Sequence, residues 1–239
     1  MRDQYAGDLS DILKFSLLRA LAGTDRTLGI AWYYVPGDDG RADGRHLEWR
    51  LEPAWQLVDA KLHAGLSTLP ERSIAAMERA DIWPPGTMFF REPVARGQFR
   101  DAWGERMREA LASPDVVFLD PDNGLGGKTP KHATPEEIRI LRKQGRAVVF
   151  ISFPGRNMPH DDLLRRLHER LSIDGGATSV VTLRTSVSLP RGDGSPFLVQ
   201  RQRWFTVVDA DHELIERVRR FASTLEGIPR VGARIDCVK

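Results

Sequence analysis

The sequence predicts an α/β sandwich on a mostly parallel sheet with an antiparallel pair at one edge. Three observations predict it. Strand-like apolar runs recur along the 239 residues, at 28–35, 88–91, 116–119, 147–153, 179–185 and 204–208. Four of them (28–35, 116–119, 147–153 and 204–208) are nearly continuous in hydrophobicity, as strands covered on both faces are. Between the runs lie stretches with helical spacing, and such alternation marks helices packed over a parallel sheet.

The first helix is predicted at 11–22, where Ile12, Leu13, Phe15, Leu17, Leu18 and Leu21 share one broad face. Ser10 or Asp8 caps it, which leaves Asp11 in the first turn, where the helix dipole favours acids. Residues 51–82 read as mainly helical, an insertion at about 47–82 within a single domain spanning 1–239. Further helices are expected at 99–111, 135–143, 161–171 and 212–225. Thr134-Pro135-Glu136-Glu137 is a strong start signal: a capping hydroxyl, proline at the first helical position, then acids. The turn-rich segment 190–196 leaves no room for a helix, so the last two runs pair antiparallel.

Composition removes several classes. Hydrophobic residues make 41% and charged residues 28% of the chain, ordinary values for a globular protein. Cys237 is the single cysteine, which excludes a disulfide framework and a cysteine-based zinc cluster. No apolar run reaches the roughly 18 residues that span a bilayer, so no membrane association is expected. The first eleven residues, MRDQYAGDLSD, are too acidic for a secretory signal, and the expected location is the cytoplasm. From Arg139 onward there are 18 basic and 11 acidic residues, against 17 and 22 before it. A basic half of this kind suits RNA or DNA as partner, or simply covers outer helix faces with charge. The six histidines form no HxH or HExxH pair, so no metal ligands are predicted. Gly127-Lys128-Thr129 lacks the upstream glycine of a phosphate loop, and Ser186 and Ser188 lie outside any GxSxG elbow.

Ligands of open α/β sheets sit beyond the carboxyl ends of the strands, so the strand-end loops hold the candidate residues. After 28–35 come Gly37, Asp38, Asp39 and Gly40. The glycines permit close backbone approach and the aspartates suit ribose hydroxyls, although a polar surface loop reads the same way. The densest signal follows 116–119: Asp120-Pro121-Asp122-Asn123-Gly124. A carboxylate at a strand's end, on a proline-stiffened turn, accepts hydrogen bonds from an amino group or binds a cation; Asp-Asn-Gly is also common turn chemistry. The next strand ends near Phe153, placed to stack on a base or to fill the core, and Arg156, placed to meet a phosphate. At the N-terminus, Tyr5, Asp11 and Lys14 form the second anchor. Lys14 either pairs with Asp11 three residues away or projects toward a nucleotide over the sheet's edge.

Ala6-Gly7-x-x-x-Asp11-x-Leu13-Lys14 resembles the AGNHADVLKH motif of the bacterial 23S rRNA adenine-N6 methyltransferase family. That resemblance implies a Rossmann-like, class I S-adenosylmethionine-dependent methyltransferase fold acting on nucleic acid or a nucleotide. The family's DPPY-type motif ends its fourth strand, where this chain has Asp120-Pro121-Asp122-Asn123, and its next strand ends in an aromatic-proline step like Phe153-Pro154. By the resemblance, Asp120 accepts from the target amino group, with Asp122 and Asn123 beside it, and Lys14 holds substrate or cofactor near it. Tyr5, Asp11, Phe153 and Arg156 would contact substrate. The loop 36–45 would take the place of the glycine-rich cofactor loop, and Glu92 that of the ribose-binding acid. Two departures stand out: Asp122-Asn123 replaces a proline-aromatic pair, and Phe15 replaces a histidine. Val116-Val117-Phe118-Leu119-Asp120-x-Asp122 also looks like the first motif of haloacid-dehalogenase-type phosphatases. A metal-dependent phosphatase or nuclease using Asp120 and Asp122 is therefore one alternative. A non-catalytic nucleotide- or partner-binding descendant of the methyltransferase fold is the other.

Overall fold

The computed structural model of the chain describes residues 1–37, 40, 46–155, 157–190 and 198–238. Helix α1 (Leu9–Ala22) starts where Asp8 accepts from the Ser10 backbone N–H at 2.5 Å, so Asp8 is the cap. Strand β1 (Leu28–Ala31) follows. It ends four residues short of the expected 28–35 run. The aromatic residues after it still read as strand, but their backbone groups turn elsewhere: Tyr33 takes φ 47°, and Val35 donates to the Met1 carbonyl at 2.9 Å. Short helical turns at 48–51 and 53–57, then α2 (Ala60–Ser67) and α3 (Ile74–Arg79), fulfil the helical reading of 51–82.

The remaining elements are β2 (Met88–Phe90), α4 (Arg100–Ala110), β3 (Val116–Leu119), α5 (Pro135–Leu141), β4 (Ala147–Ser152), α6 (His160–Ile173), β5 (Val180–Pro190), β6 (Leu198–Val208), α7 (His212–Glu226) and β7 (Val231–Val238). Among the described residues the seven strands make one sheet, in the order β2-β1-β3-β4-β6-β5-β7. Strands β2, β1, β3 and β4 pair parallel; β6 runs antiparallel to both β4 and β5, and β7 antiparallel to β5. Five of the seven therefore point the same way. The expected antiparallel pair is a three-stranded ladder, because β7 joins its outer edge. Its alternation was visible in the sequence: Val231, Ala233 and Ile235 pack against the core, with Gly232 and Arg234 between them.

Strand alternation divides the core into two layers. Val116 and Phe118 of β3 face the layer that includes α1, α2, α3 and α7, while Val117 and Leu119 face α4, α5 and α6. Both faces of these strands are buried, which explains why β1, β3 and β4 read as unbroken apolar runs. Phe15, the residue standing where a histidine was expected, is fully buried; its ring meets Trp83 at 4.7 Å and Trp32 at 5.9 Å. An imidazole there would lose that aromatic cluster.

Candidate nucleoside-sized site at the carboxyl edge of the sheet

The acidic turn is fixed by its neighbours. Asp120 donates its backbone N–H to the Ala31 carbonyl at 2.9 Å, and Asn123 donates to the Lys131 carbonyl at 2.8 Å. Gly124 has φ 84° and lies so close to β4 that an added Cβ would sit 2.4 Å from Ser152 Oγ and 2.9 Å from its Cα. Only glycine fits both the conformation and the space. This is the physical content of the Asp-Asn-Gly ending: it folds the turn back against the end of the next strand.

Beneath the turn, α5 opens at the Thr134 cap expected from its sequence, and Glu137 completes a capping box. Thr134 Oγ1 accepts from the Glu137 N–H at 3.1 Å, and the Glu137 carboxylate accepts from the Thr134 N–H at 3.0 Å. Glu137 also takes the Tyr33 hydroxyl at 2.8 Å and Arg100 Nε at 2.5 Å, and all three side chains are buried. Arg100 Nη2 donates to the His132 carbonyl at 2.9 Å, so the pair secures the segment that returns from the turn. Arg100→Leu should therefore destabilise the protein by about 3–5 kcal/mol, because it strands a buried carboxylate. Urea unfolding measures it; a loss under about 1 kcal/mol would show that Glu137 finds another partner.

The second anchor meets the first. Lys14 Nζ lies 3.0 and 2.9 Å from the two carboxylate oxygens of Asp120, across 106 residues of sequence. The same ammonium is 2.6 Å from Asp11 Oδ1, so the two readings of Lys14 are both realised. Asp11 Oδ2 accepts the Gly7 N–H at 2.6 Å, and Gly7 reaches that position with φ 74°, which accounts for the Ala-Gly step of the N-terminal motif. All three charged side chains are almost fully buried. Burial pushes the Asp11 carboxyl up to about 6, with Asp8 and Asp120 adding and Lys14 opposing. Burial alone would lower the Lys14 ammonium, but its two carboxylates outweigh it and hold it above the ordinary lysine range.

Above this triad opens a cavity of about 660 Å³, within the range of small-molecule sites. It lies over the carboxyl ends of β3 and β4 and is closed on its far side by the start of β6. Seven residues singled out in the sequence line it: Tyr5, Asp11, Lys14, Asp120, Asp122, Asn123 and Phe153. Phe153 is 40% exposed, so it belongs to the cavity and not to the core. Asp122 receives the Met1 ammonium at 2.8 Å.

The expected cofactor loop is placed differently. Gly37 and Gly40 are exposed and do not line the cavity; the Gly37 carbonyl accepts from Arg2 at 2.7 Å. Glu92 is also exposed, and it pairs with Arg106 at 2.8 Å instead of facing the cavity. The physical reason is the early end of β1: Tyr33 and Val35 bond the N-terminal residue, so the chain leaves the sheet before the loop begins. Asp38, Asp39 and Arg156 lie outside the described residues. Asp8 and Ser10, read from sequence only as helix caps, also line the cavity, as do four residues that sequence patterns gave no role there: Lys131, His160, Arg201 and Arg203. The last two sit on the extension of β6 to Leu198, where polar and apolar residues mix and no strand was expected.

The cation between the carboxylates is Lys14 itself, and among the described residues no group of three His, Cys, Asp or Glu side chains could hold a metal ion. None of the described helices is long and apolar enough to cross a membrane.

Strand order and the reversed β6 between β4 and β5 make the architecture Rossmann-like, a mostly parallel sheet with an antiparallel edge. The Legionella pneumophila protein LPL1258, which carries the DUF519 family model, shares the fold with a TM-score of 0.50 and 11% identity over 97% of each chain. Looser likenesses link the chain to a precorrin-8W decarboxylase of Methanobacterium thermoautotrophicum (TM-score 0.36, 11% identity, 83% of this chain and 90% of that one). A precorrin-6Y C5,15-methyltransferase of Geobacter metallireducens gives 0.32, at 11% identity over 81% and 85%. No protein-family model matches the chain, and no curated protein matches it in sequence.

Proposed function

We propose that this protein is an S-adenosylmethionine-dependent methyltransferase acting on an amino group of a base in RNA, DNA or a nucleotide. One observation carries the reading: the Lys14–Asp120 contact, buried at the floor of a nucleoside-sized cavity at the carboxyl edge of the sheet.

The residues present suit such a cofactor through the cavity and not through the loop after β1. The volume accommodates a nucleoside, Phe153 offers a face to a planar base, and one guanidinium nitrogen of Arg203 is buried without a partner. The cofactor would supply an electrophilic methyl group on a sulfonium. Everything else falls to the chain's own side chains. Lys14 neutralises Asp120 and Asp11 together and locks the orientation of the Asp120 carboxylate. That carboxylate accepts from the target N–H, drawing the nitrogen lone pair out of conjugation with the ring, and Asn123 supplies a neutral amide at the rim. Transfer would form the N–C bond as the S–C bond breaks, the electron pair staying on sulfur, and the nitrogen's extra proton would leave to solvent through the cavity mouth. Holding nucleophile and methyl in line supplies much of the acceleration, so rigidity of the floor matters more than acid–base strength.

Calorimetry with S-adenosylmethionine and S-adenosylhomocysteine tests the reading. Ligand at 100 times its dissociation constant should stabilise the protein by about 2.7 kcal/mol. Absence of any heat or thermal shift with both compounds would end it. Binding without transfer to RNA, DNA or nucleotides would point instead to the non-catalytic descendant.

A further inference from the structure

The cavity is electrostatically lopsided. Its carboxylates are all engaged within the protein: Asp8 caps α1, Asp11 and Asp120 share Lys14, and Asp122 holds the Met1 ammonium. Three of its cations are not. Lys131, Arg201 and Arg203 line the same space, and among the described residues none has an acidic partner within ion-pair distance.

Arg203 is the unusual one. It is 5% exposed, on β6 and beside the first turn of α1, and its Nε donates to Ser10 Oγ at 2.8 Å. Its Nη1 is buried with no hydrogen-bond partner. Burial holds the group below the ordinary arginine range, with the charge of Arg201 adding and Asp8 and Asp11 opposing. A guanidinium stays protonated in proteins, so this is a desolvated charge whose fork is only partly used. The N-terminus of α1 does not compete for the same ligand: its first N–H groups already bond His46, Asp8 and the Asp8 carbonyl.

We infer that Arg203, with Arg201 and Lys131 at the rim, is the anion-recognition subsite of the cavity, taking an oxyanion of the bound molecule. The planar fork matches carboxylate and phosphate alike. Two sources fit: the carboxylate at the amino-acid end of a cofactor, or a phosphate of the substrate nucleotide. The inference rests on the cavity being the ligand site, as in the proposed function, and names what its basic wall is for.

Titration calorimetry of the full chain separates the sources with two ligand pairs. Adenosine 5′-monophosphate against adenosine isolates a phosphate; S-adenosylhomocysteine against 5′-methylthioadenosine isolates the amino-acid end. In the wild-type protein at least one anionic probe should bind tenfold or more tighter than its neutral counterpart. Arg203→Gln should remove about ten- to hundred-fold from that probe and leave the neutral one unchanged. Arg203→Lys, which keeps the charge without the fork, should recover part of the loss. Arg201→Gln, at an exposed position that does not threaten the fold, should weaken the anionic probe a few-fold, and added salt should do the same. A margin that Arg203→Gln and Arg201→Gln leave intact, or a wild-type protein with no margin in either pair, overturns the subsite. The two proposals fail separately. Arg203-dependent binding of the monophosphate with no response to S-adenosylhomocysteine keeps the subsite and ends the methyltransferase reading. S-adenosylhomocysteine binding indifferent to Arg203 does the reverse.

Discussion

Lys14→Met should cost about 3–5 kcal/mol of stability near pH 7.5, and most of that loss should disappear by pH 5. The size follows from burial. Lys14, Asp11 and Asp120 are 3, 1 and 3% exposed, so removing the ammonium leaves two carboxylates facing each other out of water. Methionine fills the volume of the stem, which separates the charge from any cavity effect. The pH dependence follows from the direction of the shifts. In the wild-type protein Asp11 is already pushed up to about 6, first by burial, against the opposing attraction of Lys14. A group whose folded pKa lies above its unfolded value contributes stability that is full below the unfolded value and lost as pH rises through the folded one. For Asp11 that window runs from about 4 to about 6 in the wild-type protein, and without Lys14 its upper end moves higher. At pH 5 Asp11 is protonated in the variant, one buried charge is removed, and the penalty is largely gone. Guanidinium unfolding at the two pH values decides it. Equal stability of variant and wild type at pH 7.5 would mean that the triad carries no net energy, and its tight geometry would lose its meaning for the site.

Much of the architecture was legible because apolar continuity and helical spacing are local signals. β3 occupies the expected 116–119, and β4 and α7 differ from expectation by a residue at one end. The Thr134 cap and Pro135 at the first position were equally plain, since a helix start signal is local. Where reading failed, the deciding partner was distant. Nothing near Trp32 announces that residues 33–35 leave the sheet to bind the N-terminal residue. Glu92 has the right chemistry for a ribose hydroxyl, but Arg106 on α4 draws it outward. The floor of the site was found from two local motifs, whereas its basic wall was not. Arg203 acquires significance only when β6 pairs with β4 and brings it against Ser10, 193 residues away.

Asp120→Asn is expected to leave the fold standing and lower turnover by about a hundred- to a thousand-fold, the range seen when one preorganised polar contact to a reacting group is lost. The two effects separate for an electrostatic reason. Removing the Asp120 charge leaves Lys14 with Asp11, a neutral buried pair at 2.6 Å, and the asparagine oxygen still accepts from Nζ. Stability should therefore change by only about 1 kcal/mol. The reacting side fares worse. The amide can turn one oxygen toward the lysine, but then its NH₂ group faces the amino group it should polarise, and two donors meet. S-adenosylhomocysteine affinity should stay within a few-fold of wild type, because the substitution removes no cation from the cavity. Asp122→Asn, on a side chain 14% exposed and paired with the Met1 ammonium, should cost far less turnover. The measurement is single-turnover transfer of labelled methyl to RNA, DNA and nucleotide pools, with binding and unfolding determined on the same preparations. Near-wild-type transfer by Asp120→Asn would remove the carboxylate from the chemistry and leave Lys14 and Asp120 as a structural clamp. Transfer lost together with cofactor binding would assign Asp120 to holding the cofactor. Transfer lost with binding and stability intact is the result that places the carboxylate at the reacting nitrogen.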